Sequence, residues 1–219
     1  MAKSTTLYVC NNCGYESGKW YGKCPECSTW NSFTQVSAAD TKAKRSADRV
    51  LLTPQKIGAI QSVSENRITT GFGELDRVLG GGEKNMGIVP GSVTLLSGDP
   101  GVGKSTIMLQ LAINLSGESS HARRVLYITG EESESQVKMR AERIITSKKL
   151  SDIPLFIIAT TDIDSALDAA IEFKPDLVII DSIQTMQTTE LTGFAGSVPQ
   201  IRYSCSRLVS FAKGHAIPV

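Results

Sequence analysis

Ser92-Val93-Thr94-Leu95-Leu96-Ser97-Gly98-Asp99-Pro100-Gly101-Val102-Gly103-Lys104-Ser105-Thr106 is the stretch that decides the architecture. It opens on the β-branched and apolar residues of a buried strand and passes through a full G-x-x-x-x-G-K-[ST] match. Met108, Leu111, Ala112 and Leu115 then follow at helical spacing. Strand, glycine-rich turn and helix N-terminus thus come in the order that a phosphate cradle requires. Glycines at 98, 101 and 103 let the backbone curl until successive N–H groups face one concavity, and the helix dipole adds positive potential there. Gly98, Asp99, Pro100, Gly101, Val102, Gly103, Lys104, Ser105 and Thr106 are therefore the expected cradle for a nucleoside triphosphate, ATP with Mg2+. Lys104 is placed to reach the β- and γ-phosphates and the Ser105 hydroxyl to ligate the cation.

Downstream the strand-and-helix unit repeats. Val125–Thr129 reads as a second strand, followed by Ser133 and Gln136 in capping-box spacing and a helix with Val137, Ala141 and Ile144 on one face. Leu155–Ala159 is a third strand, Ile163 to Phe173 a helix, and Leu177–Ile180 a fourth strand that ends on Asp181. A last helix is expected to start at Ser197, again in capping-box spacing with Gln200, with Ile201, Cys205, Leu208 and Ala212 inward and Cys205 an inert core thiol. Ala216-Ile217-Pro218-Val219 reads as the start of another strand. Continuously apolar strands alternating with helices imply an α/β fold, a mainly parallel sheet between helix layers. Ligands of such sheets bind beyond the carboxyl ends of the strands. Asp181 is accordingly the expected Mg2+ carboxylate of a Walker B element, bound to the ion directly or through a water. Glu131 and Glu132, at the end of the second strand, are each candidates to orient an attacking water and each equally a first-turn helix charge.

The N-terminal head carries a different chemistry. Cys10-x-x-Cys13 and Cys24-x-x-Cys27 are two knuckles with ten residues between them. Four thiolates at that spacing suit a tetrahedral Zn2+ with no open position, a structural site whose binding energy folds a module too small to be held by its own core. Trp20, Tyr21 and Trp30 read as packing around the metal, and an exposed Trp20 would instead suggest a stacking platform. From about Thr34 to Asn66 the chain is polar, holds the run Lys42-Ala43-Lys44-Arg45, and reads as a linker. The expected organisation is a zinc module at 1–34, a linker at 35–66 and a P-loop core at 67–219. His121 and His215 lack any partner pattern and read as surface residues.

Composition sets outer limits. With 219 residues, 41% hydrophobic and 21% charged, the chain has the makings of one full-sized core plus a small appendage. A net charge of +1 gives no whole-chain footprint for nucleic acid, so any such contact must be local. No stretch has the apolar length of a signal peptide or a membrane span, and four of the five cysteines sit in paired spacing, so a cytoplasmic, reducing location is expected.

The joint pattern goes further. The four-cysteine head is followed by Arg67-Ile68-Thr69-Thr70-Gly71-Phe72-Gly73-Glu74-Leu75-Asp76-Arg77-Val78-Leu79-Gly80-Gly81-Gly82 and the P-loop. Tyr127-Ile128-Thr129-Gly130-Glu131-Glu132-Ser133 and Asp181-Ser182-Ile183-Gln184 come next. This resembles the N-terminal half of the RadA (Sms) family of bacterial-type DNA-repair ATPases related to RecA, over nearly the whole chain. The resemblance implies a RecA-like P-loop ATPase core beside a zinc-ribbon module. It also implies a homo-oligomeric ring, binding to single-stranded or branched DNA, and branch migration of recombination intermediates driven by ATP hydrolysis, with recombinase or helicase partners. It makes Glu131 the catalytic glutamate, together with Lys104 and Asp181, and puts a DNA-contacting loop at Thr188 to Ser197. Glu83-Lys84-Asn85-Met86 departs from the family pattern, and Tyr203 stands where an acidic residue is expected. The family's sensor strand, its Lys-Asn-Arg-Phe-Gly motif and its protease-like domain are not in this sequence. A non-motor regulatory module, recruiting a protein through the zinc head, is the alternative.

Overall fold

The computed structural model describes residues 6–37, 54, 56–59, 66–82, 85–117, 122–145 and 150–219. The basic run at 42–45, Glu83, Lys84 and His121 lie outside them.

Three apolar strands form the central sheet: β6 (Val125–Thr129), β7 (Leu155–Ala159) and β8 (Leu177–Asp181), parallel, in the order β7-β6-β8. In register, Val125 lies beside Leu155 and Leu177, and Thr129 beside Ala159 and Asp181, so the three strands end level. Side chains alternate across the sheet, and each face receives its own helix pair. Val125, Tyr127, Leu177 and Ile179 pack with Leu109, Leu111 and Ala112 of α2 (Lys104–Gly117) and with Val137 and Ala141 of α3 (Glu134–Ile144). Leu126, Ile128 and Val178 face Ile163, Leu167 and Ala170 of α4 (Ile163–Phe173) and Leu208 and Phe211 of α5 (Val198–His215). A sheet buried on both sides by helices is the layered α/β arrangement expected from the alternating pattern.

Helix α3 starts on the capping box read from the sequence: the Ser133 hydroxyl accepts from the Gln136 N–H, and the Gln136 side chain accepts from the Ser133 N–H. At α5 the same spacing behaves differently. Ser197 makes no side-chain cap, and the Gln200 amide, rather than reaching back to it, is buried and bonds the Thr188 N–H and the carbonyls of Thr188 and Leu191. The inward face of α5 is Gln200, Ser204, Leu208, Phe211 and Ala212, which leaves Cys205 exposed and not a core thiol.

The stretch Ser92–Ser97 is not a regular strand. Its first residues exchange bonds with the chain's last one: the Thr94 N–H donates to Val219 at 2.8 Å and the Val219 N–H to Ser92 at 2.9 Å. The Val178 N–H donates to Pro218, so Pro218 and Val219 lie between β8 and this stretch. Among the described residues no ladder continues beyond Thr94, and Leu95 is 75% exposed.

Upstream of the sheet stand the short helix α1 (Gly73–Leu79) and the two-residue strands β4 (Gly81–Gly82) and β5 (Asn85–Met86), paired antiparallel. Gly81 has φ +117°, and a Cβ there would run into the Asn85 carbonyl, so only glycine closes this hairpin. The Arg67 guanidinium donates to the carbonyls of Leu79, Gly80 and Gly87, tying α1 to the strands.

The head is a separate small sheet of β1 (Thr6–Cys10), β2 (Glu16–Ser17) and β3 (Phe33–Ser37), in the order β2-β1-β3 and antiparallel. In register, Thr6 lies beside Ser37 and Cys10 beside Phe33. Among the described residues no helix is long and apolar enough to cross a membrane.

Candidate functional site

The glycine-rich loop joins Ser97 to α2, and Gly101 and Gly103 adopt φ +81° and +95°, values that a side chain would strain. The Lys104 ammonium donates to the carbonyls of Gly98 at 2.7 Å and Asp99 at 2.8 Å, so it lies across the loop that it follows. Helix α2 begins at Lys104, so the N–H groups of its first turn and the positive end of its dipole open onto this loop.

Across the sheet's carboxyl edge the predicted residues converge. Ser105 donates its hydroxyl to Asp181 Oδ1 at 3.0 Å, joining residues 76 positions apart. The Tyr127 phenol donates to the other oxygen, Oδ2, at 2.6 Å. Burial, with the Asp181 carboxylate beside it, pushes the Tyr127 hydroxyl well above the ordinary tyrosine range, so it remains a donor. Glu131 is exposed and accepts from the Ser182 hydroxyl at 2.6 Å, which ties it to the residue that follows Asp181. Glu132 points elsewhere: its Oε1 accepts from Arg140 Nη1 at 3.2 Å. The two adjacent glutamates, equivalent by spacing, are thus separated by their partners. Gly130 makes this edge compact, since a Cβ there would collide with Thr185 Oγ1.

A hydroxyl and a carboxylate 3.0 Å apart beside a phosphate loop form a hard-oxygen donor set that suits Mg2+ with water and phosphate as its remaining ligands. Sequence reasoning missed Tyr127, Ser182 and Arg140. The available signals were a lone tyrosine in an aliphatic strand and an arginine on the inward side of α3, between Val137 and Ala141.

The loop from Thr188 to Ser197 is held at its base. Besides the Gln200 bonds, Thr188 Oγ1 donates to Asp164 at 2.7 Å, and the single proton of the Tyr203 phenol is shared between Asp164 at 3.2 Å and Glu190 at 3.1 Å. Tyr203, where an acidic residue was expected, thereby joins two carboxylates, and Arg207 pairs with Asp164 at 3.0 Å. Phe194 near the loop's tip is 90% exposed.

In the head the four knuckle cysteines converge. Cys10 and Cys27 sulfurs lie 3.6 Å apart, as do those of Cys13 and Cys24, and all four lie within 4.8 Å of one another. Tetrahedral Zn–S bonds of about 2.3 Å place sulfurs roughly 3.8 Å apart, so the set fits that ion. Hydrogen bonding with Thr29 and Asn12 brings Cys27 down to about 5, whereas burial pushes Cys13 up to about 12. A cation binding here must displace the proton of Cys13, which links its affinity to pH. Tyr21 contacts Phe33, but Trp20 and Trp30 are 53% and 69% exposed and do not pack around the site.

A family model described as an AAA domain matches residues 55–193. The chain belongs to this AAA domain family. A second model, a rubredoxin metal binding domain, matches residues 8–35 and so contains all four clustered cysteines. Curated relatives are titled DNA repair protein RadA. Those of Halalkalibacterium halodurans and Bacillus subtilis are 44% and 40% identical, each alignment covering 100% of this chain and 46% of the relative. That of Listeria monocytogenes is 43% identical over 221 residues with the same coverage. The chain therefore spans about half the length of the curated relatives it matches. The resemblance read from the motifs is borne out by these relatives, and the α/β core with a four-cysteine head by the structure.

Proposed function

We propose that this chain is the nucleotide-binding part of a DNA-repair ATPase that couples ATP hydrolysis to work on single-stranded or branched DNA, including branch migration. The observation that carries the reading is the Ser105–Asp181 bond at 3.0 Å, which brings the P-loop hydroxyl and the carboxylate ending β8 to one point. In this reading residues 98–106 cradle the triphosphate, the Lys104 ammonium leaves the Gly98 and Asp99 carbonyls for phosphate oxygens, and Ser105 and Asp181 hold Mg2+. The bound ion would neutralise charge on the β- and γ-phosphates. Glu131, held by Ser182 at the mouth, orients and deprotonates the attacking water. The DNA part rests on the RadA relatives, with the Thr188–Ser197 loop and its exposed Phe194 as the contacting element and a ring of copies as the working form. The head binds a structural Zn2+.

A second reading has the zinc head recruiting a protein, with the nucleotide state as a switch, and the exposure of Trp20 and Trp30 favours some partner on that surface. ATP turnover with and without single-stranded DNA at two salt concentrations separates the two. DNA-stimulated turnover that fades with salt is expected for the motor, whereas DNA-indifferent nucleotide binding supports the switch. Lys104→Ala tests the site itself: turnover or nucleotide affinity should fall by about a hundredfold or more with the fold intact by circular dichroism. Unchanged turnover would remove the P-loop assignment.

A further inference from the structure

Asp181 is fixed from two sides, and the second side has no part in the nucleotide reading as given above. Its Oδ1 accepts from Ser105, while its Oδ2 accepts from the Tyr127 phenol at 2.6 Å, a short bond of the charge-assisted kind. Tyr127 lies two residues before Thr129, the register partner of Asp181, so the ring reaches diagonally across the β6–β8 pair. Behind this pair stands Arg140 of α3, with Nη2 4.0 Å from Asp181 Oδ2 and Nη1 3.2 Å from Glu132 Oε1. Tyr127 is wholly buried and the arginine and both carboxylates largely so.

Packing alone does not account for this cluster. Among the described residues Arg140 Nε and Nη2 and Glu132 Oε2 are buried without a hydrogen-bond partner, Nη2 having only its 4.0 Å ion pair with Asp181, and buried polar atoms left in that state are costly. A lone ion pair would serve stability poorly here, since an apolar trio of similar volume would commonly do as well. The arrangement does set the carboxylate's orientation: with the phenol on Oδ2, Oδ1 is turned to the helix that carries Ser105.

We propose that Tyr127 and Arg140 are positioning residues for the magnesium–nucleotide complex, Tyr127 by fixing the Asp181 carboxylate and Arg140 by tying it to Glu132 at the end of β6. This rests on the nucleotide reading. Neither residue touches the reacting atoms. Both act through Asp181, as partners behind a metal ligand commonly do, at a cost of about 10- to 100-fold in metal affinity when removed. Arg140 also makes α3 part of the site, because any shift of that helix moves the positive charge that faces two carboxylates.

The test is a titration of a fluorescent ATP analogue into the full chain across a magnesium series, and in excess chelator, for wild type, Tyr127→Phe, Arg140→Gln and Arg140→Lys. Tyr127→Phe keeps the ring and its volume, so it isolates the hydroxyl. The expected result is a magnesium half-saturation raised about tenfold in Tyr127→Phe and Arg140→Gln, an unchanged affinity for the metal-free analogue, and partial recovery in Arg140→Lys. A merely structural role would lower the melting temperature and leave magnesium dependence alone. Wild-type magnesium dependence in folded Tyr127→Phe overturns the positioning role while the nucleotide reading stands. A wild-type chain that binds no analogue at any magnesium concentration overturns both.

Discussion

The head and the sheet domain each bring distant residues together at a site, but they are held by different forces. In the head, the buried apolar residues with described side chains are Cys10, Cys24 and Phe33, and two of these belong to the four-cysteine cluster that could hold a metal ion. The sheet domain buries apolar clusters on both faces of β6 and β8, with Leu109, Val125 and Tyr127 on one and Leu126, Ile128 and Ile163 on the other. In the head the chemical motif is therefore the fold, while in the sheet domain the motif rides on a fold that stands without it. Removing a site residue should unfold the first and merely silence the second.

The largest effect is expected from Cys24→Ser. Structural zinc contributes apparent binding free energies on the order of 10 kcal/mol in modules of this size, and a serine oxygen does not replace a buried thiolate. The variant should lose its zinc and the head's near-ultraviolet signal while the sheet domain melts as before. A chain that keeps one equivalent of tightly bound zinc would break the comparison. The reciprocal change is Leu109→Ala, which empties a wholly buried site in α2 just behind the phosphate loop. A loss of about 2–5 kcal/mol is expected, seen as a lower denaturant midpoint of the sheet domain with full zinc content retained. Loss of zinc in that variant would show the two regions to be one cooperative unit.

What was legible in the sequence follows the same division. The bounds of β6, β7 and α4 and the Ser133 cap could be read because each is a local pattern: a run of apolar residues, a helical period, or a pair three residues apart. The cysteine cluster could be read for the same reason. Ser92–Ser97 failed because a strand is a property of a pair, and among the described residues its ladder bonds go to Val219 alone. The inward face of α5 failed because Gln200, polar by composition, is turned inward onto the loop backbone and Ser204, one turn on, is buried with it, so that Cys205 faces outward. Tyr127 and Arg140 stayed hidden since both meet Asp181, which lies on another strand 54 and 41 residues away, and an aromatic in a buried strand reads as core. Trp20 and Trp30 read as packing because size was taken for burial, whereas the small sheet of the head leaves them outside.

The smallest effect sharpens the comparison within the sheet domain itself. The Gln200 amide is 1% exposed and bonds both backbone groups of Thr188, itself 4% exposed, so its carboxamide acts as a short piece of strand that closes the loop's base. Gln200→Ala removes those bonds without giving Thr188 a route to solvent, and the expected cost is about 1–3 kcal/mol. That cost should be local. Hydrogen exchange at residues 188–193 should quicken while zinc content and metal-free nucleotide affinity hold, because the four cysteines and residues 98–106 lie outside this loop. If the loop engages DNA, the variant should also bind single strands more weakly at a fixed salt concentration, since the exposed Phe194 would no longer be presented from a fixed base. Slow exchange retained across 188–193 would mean that Asp164, through Thr188, Tyr203 and Arg207, holds the loop without the amide.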